Sequence, residues 1–169
     1  MLVLSLILVG ICLRFAPHAP NFTPVAAIAL FSGVYLNKKY ALIVPLLLMV
    51  GSDMIIGLHN VAAFTWGSFV LIALLAGPLK KHKNVFGIAL GSLAASLLFY
   101  VVSNFGVWAM GWYPRTLSGL IQCYVMGLPF LRDFTAATIV YAAIFFGAYE
   151  GVKSLVKNTK LSKVLLETL

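Results

Sequence analysis

Side chains that could bind a small molecule fall in three stretches of an otherwise apolar chain, residues 14–24, 51–60 and 104–133. The candidate binding residues in these stretches are Arg14, His18, Asn21, Asp53, His59, Asn104, Trp108, Trp112, Arg115, Gln122 and Arg132. Arginine offers a planar fork of donors to an anionic or polar group, and tryptophan offers a face for stacking. These residue types predict ligand binding if the three stretches meet.

Asp53 is the most demanding of these residues, because it follows a long apolar run. A carboxylate deep in lipid costs about 2.5–3.5 kcal/mol on insertion scales, so it should face the protein interior and be paired. Arg14 or Arg132 is its natural partner, and both structural pairing and ligand contact remain open. His59 in a loop is open to three interpretations: a ligand contact, a pH-sensitive group or a solvated side chain. Asn104 ends a fully apolar run and is also expected to face protein.

The first stretch is stiffened by three prolines, which fix φ and withhold backbone donors. A rigid polar loop of this kind suits a binding surface. Thr23 is expected to cap the following helix, with Pro24 at its first position.

Catalytic and metal-binding motifs are weak. Cys12 and Cys123 could form a disulfide, pack as free thiols, or supply a soft metal ligand beside His18 or His59. The sequence has no C-x-x-C, H-E-x-x-H or G-x-S-x-G motif and no paired acidic motif. We therefore expect no bound metal, no cofactor and no enzymatic activity. A membrane enzyme, the third hypothesis, would have to use His18, His59, Asp53 or Cys123.

The composition indicates that this chain folds in a lipid bilayer and not in water. Of 169 residues, 62% are hydrophobic and only 9% are charged, against about a quarter charged in soluble domains. The apolar runs are continuous and do not alternate, which favours helices over a barrel. The net charge of +8 comes from short lysine clusters between apolar runs, so nucleic acid is not an expected partner. The fold class predicted is all-α, a single polytopic membrane helical bundle.

Six transmembrane helices are predicted in contact with the bilayer. They cover residues 2–13, 23–36, 41–57, 63–79, 85–103 and 134–152. Residues 104–133 are expected to form an outer loop with a re-entrant or interfacial helix, a stretch too long for a mere connector. A seventh span within residues 116–131 is the alternative.

Charge predicts the orientation. Six spans place every lysine on one side and Arg14, Arg115 and Arg132 on the other. The positive-inside rule then puts the lysine-rich loops and both termini in the cytoplasm, in a bacterial plasma (inner) membrane. The lysines of residues 80–83 are expected to anchor this topology, with contact to anionic lipid secondary.

The spacing of Ala29 and Gly33 forms a small-residue face on the second span, which lets helices approach closely. Internal packing is the default interpretation. A partner membrane subunit at this face is the alternative.

Residues 14–33, R-F-A-P-H-A-P-N-F-T-P-V-A-A-I-A-L-F-S-G, resemble the R-F-x-P-H-x-P-N-F-x-P signature of an uncharacterised bacterial multi-pass membrane family. Ser52-Asp53, residues 103–108 and residues 119–130 resemble it as well. That resemblance implies no activity. More distantly, the layout is similar to S components of energy-coupling-factor vitamin transporters, which bind a vitamin or metal under outer loops. The first helix lacks their Ala-x-x-x-Ala coupling motif.

The predicted function is a membrane-embedded subunit that binds and takes up a small polar or anionic metabolite, resembling an S component. Arginines would hold its charge, tryptophans would stack on it, and Asp53, Asn104 and Gln122 would orient it. The alternative is a structural or assembly subunit of a membrane complex, with no ligand of its own.

Overall fold

The structure, a computed structural model, describes residues 1–17 and 19–166. Within these residues the chain forms seven α-helices and one turn of 3-10 helix at Pro78–Lys80, with no β-strand. The helices are α1 (Leu2–Phe15), α2 (Val25–Tyr35), α3 (Lys38–Ile56), α4 (Ala62–Leu75), α5 (Val85–Ala109), α6 (Leu117–Val156) and α7 (Leu161–Leu166). The all-α prediction is confirmed. Each of the six predicted spans overlaps one α-helix, from α1 to α6 in order.

Three helices begin at polar caps. The side-chain oxygens of Asn37, Asn84 and Thr116 each accept a hydrogen bond from the backbone N–H three residues later, at 3.2, 2.7 and 3.1 Å. Such bonds satisfy donors that have no partner inside the helix. Helix α2 differs, because Pro24 occupies the cap position and no side chain caps the helix. The capping role predicted for Thr23 is therefore wrong.

Helix α2 is the centre of the bundle. Each residue from Val25 to Val34 is buried, and the helix packs against α1, α3, α4, α5 and α6. Small residues permit this approach: a Cβ added at Gly33 would lie 2.6 Å from the Cβ of Ala76. Gly33 thus packs against α4 and its C-cap residue, and Ala29 is fully buried as well, so internal packing accounts for this face.

The lysine-rich end of the bundle is held by a network between α2 and α6. The Tyr35 hydroxyl donates to Glu150 Oε1 at 2.8 Å, and Lys153 Nζ donates to Glu150 Oε2 at 2.8 Å. Lys83 Nζ lies 4.5 Å from the centre of the Tyr35 ring. Partial burial lowers the pKa of Lys83, although the nearby Glu150 carboxylate favours its charged form. These contacts bring Lys83, from the connection before α5, and Lys153, from α6, together at one end.

Three helices, α3, α5 and α6, are long and apolar enough to cross a membrane. The apolar helices α1, α2 and α4 have 14, 11 and 14 residues. At about 1.5 Å per residue, α2 covers roughly half of the ~30 Å hydrocarbon layer. Its burial among the other helices explains how so short an apolar helix is accommodated.

The segment 104–133 differs from the expected loop. Helix α5 continues to Ala109 and α6 begins at Leu117, so only residues 110–116 lie outside a helix. The glycines that suggested breaks serve close packing instead: a Cβ at Gly127 would lie 2.5 Å from Asn104 Oδ1. Tyr124 further joins the two helices, since its hydroxyl donates to the carbonyl of Val101 at 2.7 Å.

Candidate functional site

The site lies at the end of the bundle opposite the lysines, where α1 and α3 end and α4 begins. Arg14 lies in the last turn of α1, and Asp53 is near the end of α3. Gly57, with φ of 129°, turns the chain after α3 toward His59. This φ is strained for residues with a Cβ. The ends of these three helices therefore bring Arg14 together with Asp53 and His59, which are far from it in the sequence.

Asp53 is the centre of the cluster and is only 3% exposed. Its Oδ2 accepts a hydrogen bond of 2.8 Å from the indole Nε1 of Trp66. Arg14 Nη2 lies 3.6 Å from Asp53 Oδ1, and His59 Nε2 lies 3.7 Å from Asp53 Oδ2. Because helix C-termini carry partial negative charge, a carboxylate in this position gains especially from nearby cations. Arg14, not Arg132, is the partner of Asp53.

The guanidinium of Arg14 is held loosely by these neighbours. Its Nη1 donates to Thr23 Oγ1 at 3.4 Å, at the long limit for such a bond. Its Nε is buried and has no hydrogen-bond partner in the described part of the chain. A buried unpaired donor is unfavourable. The protein groups around Arg14 therefore leave part of its donor capacity unused, and Arg14 lines the adjoining cavity.

Two neighbouring cavities adjoin this cluster. The first, of about 180 Å³, is lined on its polar side by Arg14, Asn21, Thr23, Asp53, His59 and Thr65. Asn21 has φ of 60°, a left-handed conformation that asparagine tolerates. We call this space the charged cavity.

The second space, of about 220 Å³, we call the aromatic cavity. It is lined by Phe99, Tyr100, Phe130 and Phe134 together with Ser96, Ser103, Asn104 and other side chains. Asn21, Thr65, Phe99 and Phe134 line both cavities. Stacked rings form this shared wall, with the centroids of Phe99 and Phe134 4.3 Å apart. The site thus joins a polar end to an aromatic end.

The structure gathers part of the predicted set. Arg14, Asn21, Asp53 and His59 line the charged cavity, and Asn104 lines the aromatic cavity. His18 lies outside the described residues.

The remaining predicted residues line neither cavity. Trp108 Nε1 donates to Pro114 O at 3.0 Å and Arg115 Nη2 to Ala109 O at 3.0 Å, so both hold the α5–α6 turn. Trp112 Nε1 donates to Asn60 Oδ1 at 3.2 Å. Arg132 pairs with the adjacent Asp133 at 2.9 Å, and Gln122 is exposed.

Trp66 was missed by the sequence prediction. It lies within an apolar run that the sequence predicts as a membrane-spanning helix. Its indole N–H could have indicated its role, because a buried indole N–H requires an acceptor. Asp53 is an acceptor that the sequence already places in the protein interior.

The cysteines are both free, Cys12 exposed and Cys123 buried, so the disulfide alternative is wrong. The Sγ of Cys123 lies 3.3 Å from the carbonyl of Asn104. In the described residues no three His, Cys, Asp or Glu side chains are grouped as metal ligands.

A protein-family model described as a family of unknown function (DUF6580) matches residues 1–161. This match covers nearly the whole chain, including every residue of the two cavities. No curated protein and no solved structure matches the chain.

Proposed function

Since the chain belongs to this family of unknown function, we propose a function from the site itself: a membrane-embedded subunit that binds a small polar metabolite for uptake. The observation that carries the proposal is the buried Asp53, surrounded by Arg14, His59 and Trp66 at the edge of a cavity. A carboxylate with only a structural role would be closed in by its partners. Here Arg14 and His59 stand 3.6 and 3.7 Å from the carboxylate and line the charged cavity.

The charges of the site favour a ligand whose polar end is both donor and acceptor. Arg14 and Asp53 carry opposite charges that balance each other, so a multiply charged ligand would leave uncompensated charge in a desolvated space. A carboxylate, amide or ring carbonyl can accept from Arg14. An ammonium, amine or ring N–H can donate to Asp53.

The aromatic cavity favours a ring or short apolar body on the same ligand. Phe99 and Phe134 line both spaces, and Tyr100 and Ser103 line the aromatic cavity alone. Each space alone is smaller than the ~300 Å³ at the low end of known ligand pockets. A compact metabolite that occupies both, such as a small vitamin, suits this shape.

The proposal of uptake rests on the predicted orientation of the chain in the membrane. We propose six spans, with the site facing outward and the lysine-rich end in the cytoplasm, as the lysine distribution predicts. The layout resembles that of S components, and capture outside followed by inward release through a partner subunit is the mechanism of this proposal. Among the described residues of the site, no nucleophile is paired with a base, so binding without chemical conversion is proposed.

The test is ligand-induced thermal stabilisation of the purified full chain in detergent, screened against small polar metabolites. A true ligand should raise the unfolding midpoint of the wild type and of an Arg132→Gln control, whose exposed side chain lies away from the cavities. It should leave Asp53→Asn and Thr65→Val unstabilised at the same concentration. If no metabolite stabilises the wild type, or if Asp53→Asn is stabilised equally, the proposal is overturned in favour of a structural subunit.

A further inference from the structure

An open apolar groove lies between the end of α4, the 3-10 turn and the first half of α5. It encloses about 340 Å³ and includes Leu75, Leu79, Leu90 and Ala94 in its walls. A smaller space of about 70 Å³ continues it inward toward Leu98 and shares Leu75, Leu79, Gly91 and Ala94 with it. The groove exists because helix α4 ends at Leu75, and because Gly91 and Ala94 have little or no side chain to fill the space beside it.

One mouth of the groove is polar and basic. His82 and Asn84 line it, and Lys80 and Lys81 are exposed beside it. Neither lysine makes an ion pair with any residue the structure describes. Lys83 is different, since it lies against the ring of Tyr35 and near Glu150.

No acidic residue opposes this basic mouth from the helices that build it. The sequence contains no Asp or Glu between residues 54 and 132, which covers α4, the 3-10 turn and α5. Glu150 is engaged by Tyr35 and Lys153. Positive charge at the head of an apolar groove is the pattern that an anionic lipid complements.

We propose that this groove binds an anionic phospholipid, with its phosphate at Lys80, Lys81 and His82 and one acyl chain along Leu75, Leu79 and Ala94. A second copy of the chain fits less well, because a two-fold interface places the same patch on both subunits and would oppose the two lysine clusters. The lipid site is separate from the charged cavity at the other end of the bundle. It does not depend on the proposed uptake function.

The experiment is native mass spectrometry of the full chain in mild detergent, titrated with phosphatidylglycerol or with phosphatidylcholine of identical acyl chains. The wild type should retain phosphatidylglycerol in preference. Lys80→Gln with Lys81→Gln should weaken its binding by about tenfold or more, because each lysine near an anionic headgroup contributes roughly a fivefold factor. Lys157→Gln with Lys160→Gln removes the same charge from the tail and should leave retention unchanged.

The apolar part of the groove is tested separately. Ala94→Phe places a ring in the groove and should reduce phosphatidylglycerol retention, whereas Ala89→Phe, at an exposed position of α5 that does not line it, should not. Gel filtration and the unfolding midpoint check that both variants fold. Equal retention of the two lipids by the wild type would overturn the proposal. So would unchanged retention in Ala94→Phe or in the double variant Lys80→Gln with Lys81→Gln, or crosslinking of Lys81→Cys into dimers.

Discussion

At the scale of single residues, Asp53 determines what the end of the bundle opposite the lysines can do. Asp53 is 3% exposed, and its carboxylate accepts one short hydrogen bond from Trp66, while Arg14 and His59 lie farther away. Removing one partner of a buried ion pair is strongly destabilising, by about 3–5 kcal/mol. The two members of the Arg14–Asp53 pair should therefore differ in their response to substitution.

Replacing Arg14 should destabilise the protein more than replacing Asp53. Arg14→Met leaves a buried carboxylate without its guanidinium, with an expected loss near 3 kcal/mol. Asp53→Asn keeps an acceptor for Trp66 and leaves a guanidinium that is 17% exposed, so its loss should be smaller. The measurement is the unfolding midpoint of each variant in the same detergent. An Arg14→Met midpoint equal to that of the wild type would show that the pair contributes nothing.

The indole N–H of Trp66 should stabilise the protein more than that of Trp112. Trp66→Phe removes the donor to Asp53 together with part of the ring, and a hydrogen bond to a charged group contributes about 1.5–3 kcal/mol. Trp112→Phe is the matched control, because its bond to Asn60 is exposed and should contribute below about 1 kcal/mol. Chemical denaturation followed by far-ultraviolet circular dichroism compares the two without relying on tryptophan fluorescence. Equal losses in the two variants would refute this assignment.

At the scale of elements, the sequence predicts helices better than it predicts where they stop. Asn37 and Asn84 stand before apolar runs and cap α3 and α5. The stretch 104–133 was misjudged, because Gly119, Gly127 and Pro129 usually mark turns. In the folded chain these two glycines lie against α5 and its turn, and this close approach depends on residues far away in the fold.

The approach of α2 to α4 gives a prediction at this scale. A Cβ at Gly33 would collide with the Ala73 carbonyl and lie 2.6 Å from the Ala76 Cβ. Gly33→Ala should force the helices apart at a cost of about 1–3 kcal/mol. Gly147→Ala adds the same methyl where nothing lies within 4 Å, so helix propensity should leave it neutral or stabilised by up to about 1 kcal/mol. Thermal unfolding of both variants in one detergent decides it, and a tolerated Gly33→Ala would contradict the α2–α4 packing.

At the scale of the whole molecule, polar side chains separate to opposite ends of the bundle. Arg14, Asp53 and His59 lie at one end, while Lys83, Glu150 and Lys153 form a network at the other. The sequence predicted this separation, since charge clusters alternate with apolar runs. It could not predict which residues of the first end touch. Trp108, Trp112 and Arg132 are residue types as suited to binding as Arg14, but they bond Pro114, Asn60 and Asp133 instead of lining a cavity.

Orientation is the prediction that links these two ends to function. In a variant with Cys12 and Cys123 replaced by alanine, single cysteines at Asn60 and at Lys81 report the two ends, since both positions are exposed. A membrane-impermeant maleimide added to intact spheroplasts should label Asn60→Cys and spare Lys81→Cys, because lysine-rich loops stay in the cytoplasm. Permeabilisation should make both accessible, which controls for hindered thiols. If Lys81→Cys is labelled in intact spheroplasts and Asn60→Cys is not, the charged cavity opens to the cytoplasm. Capture of a metabolite from outside would then be physically impossible at this site.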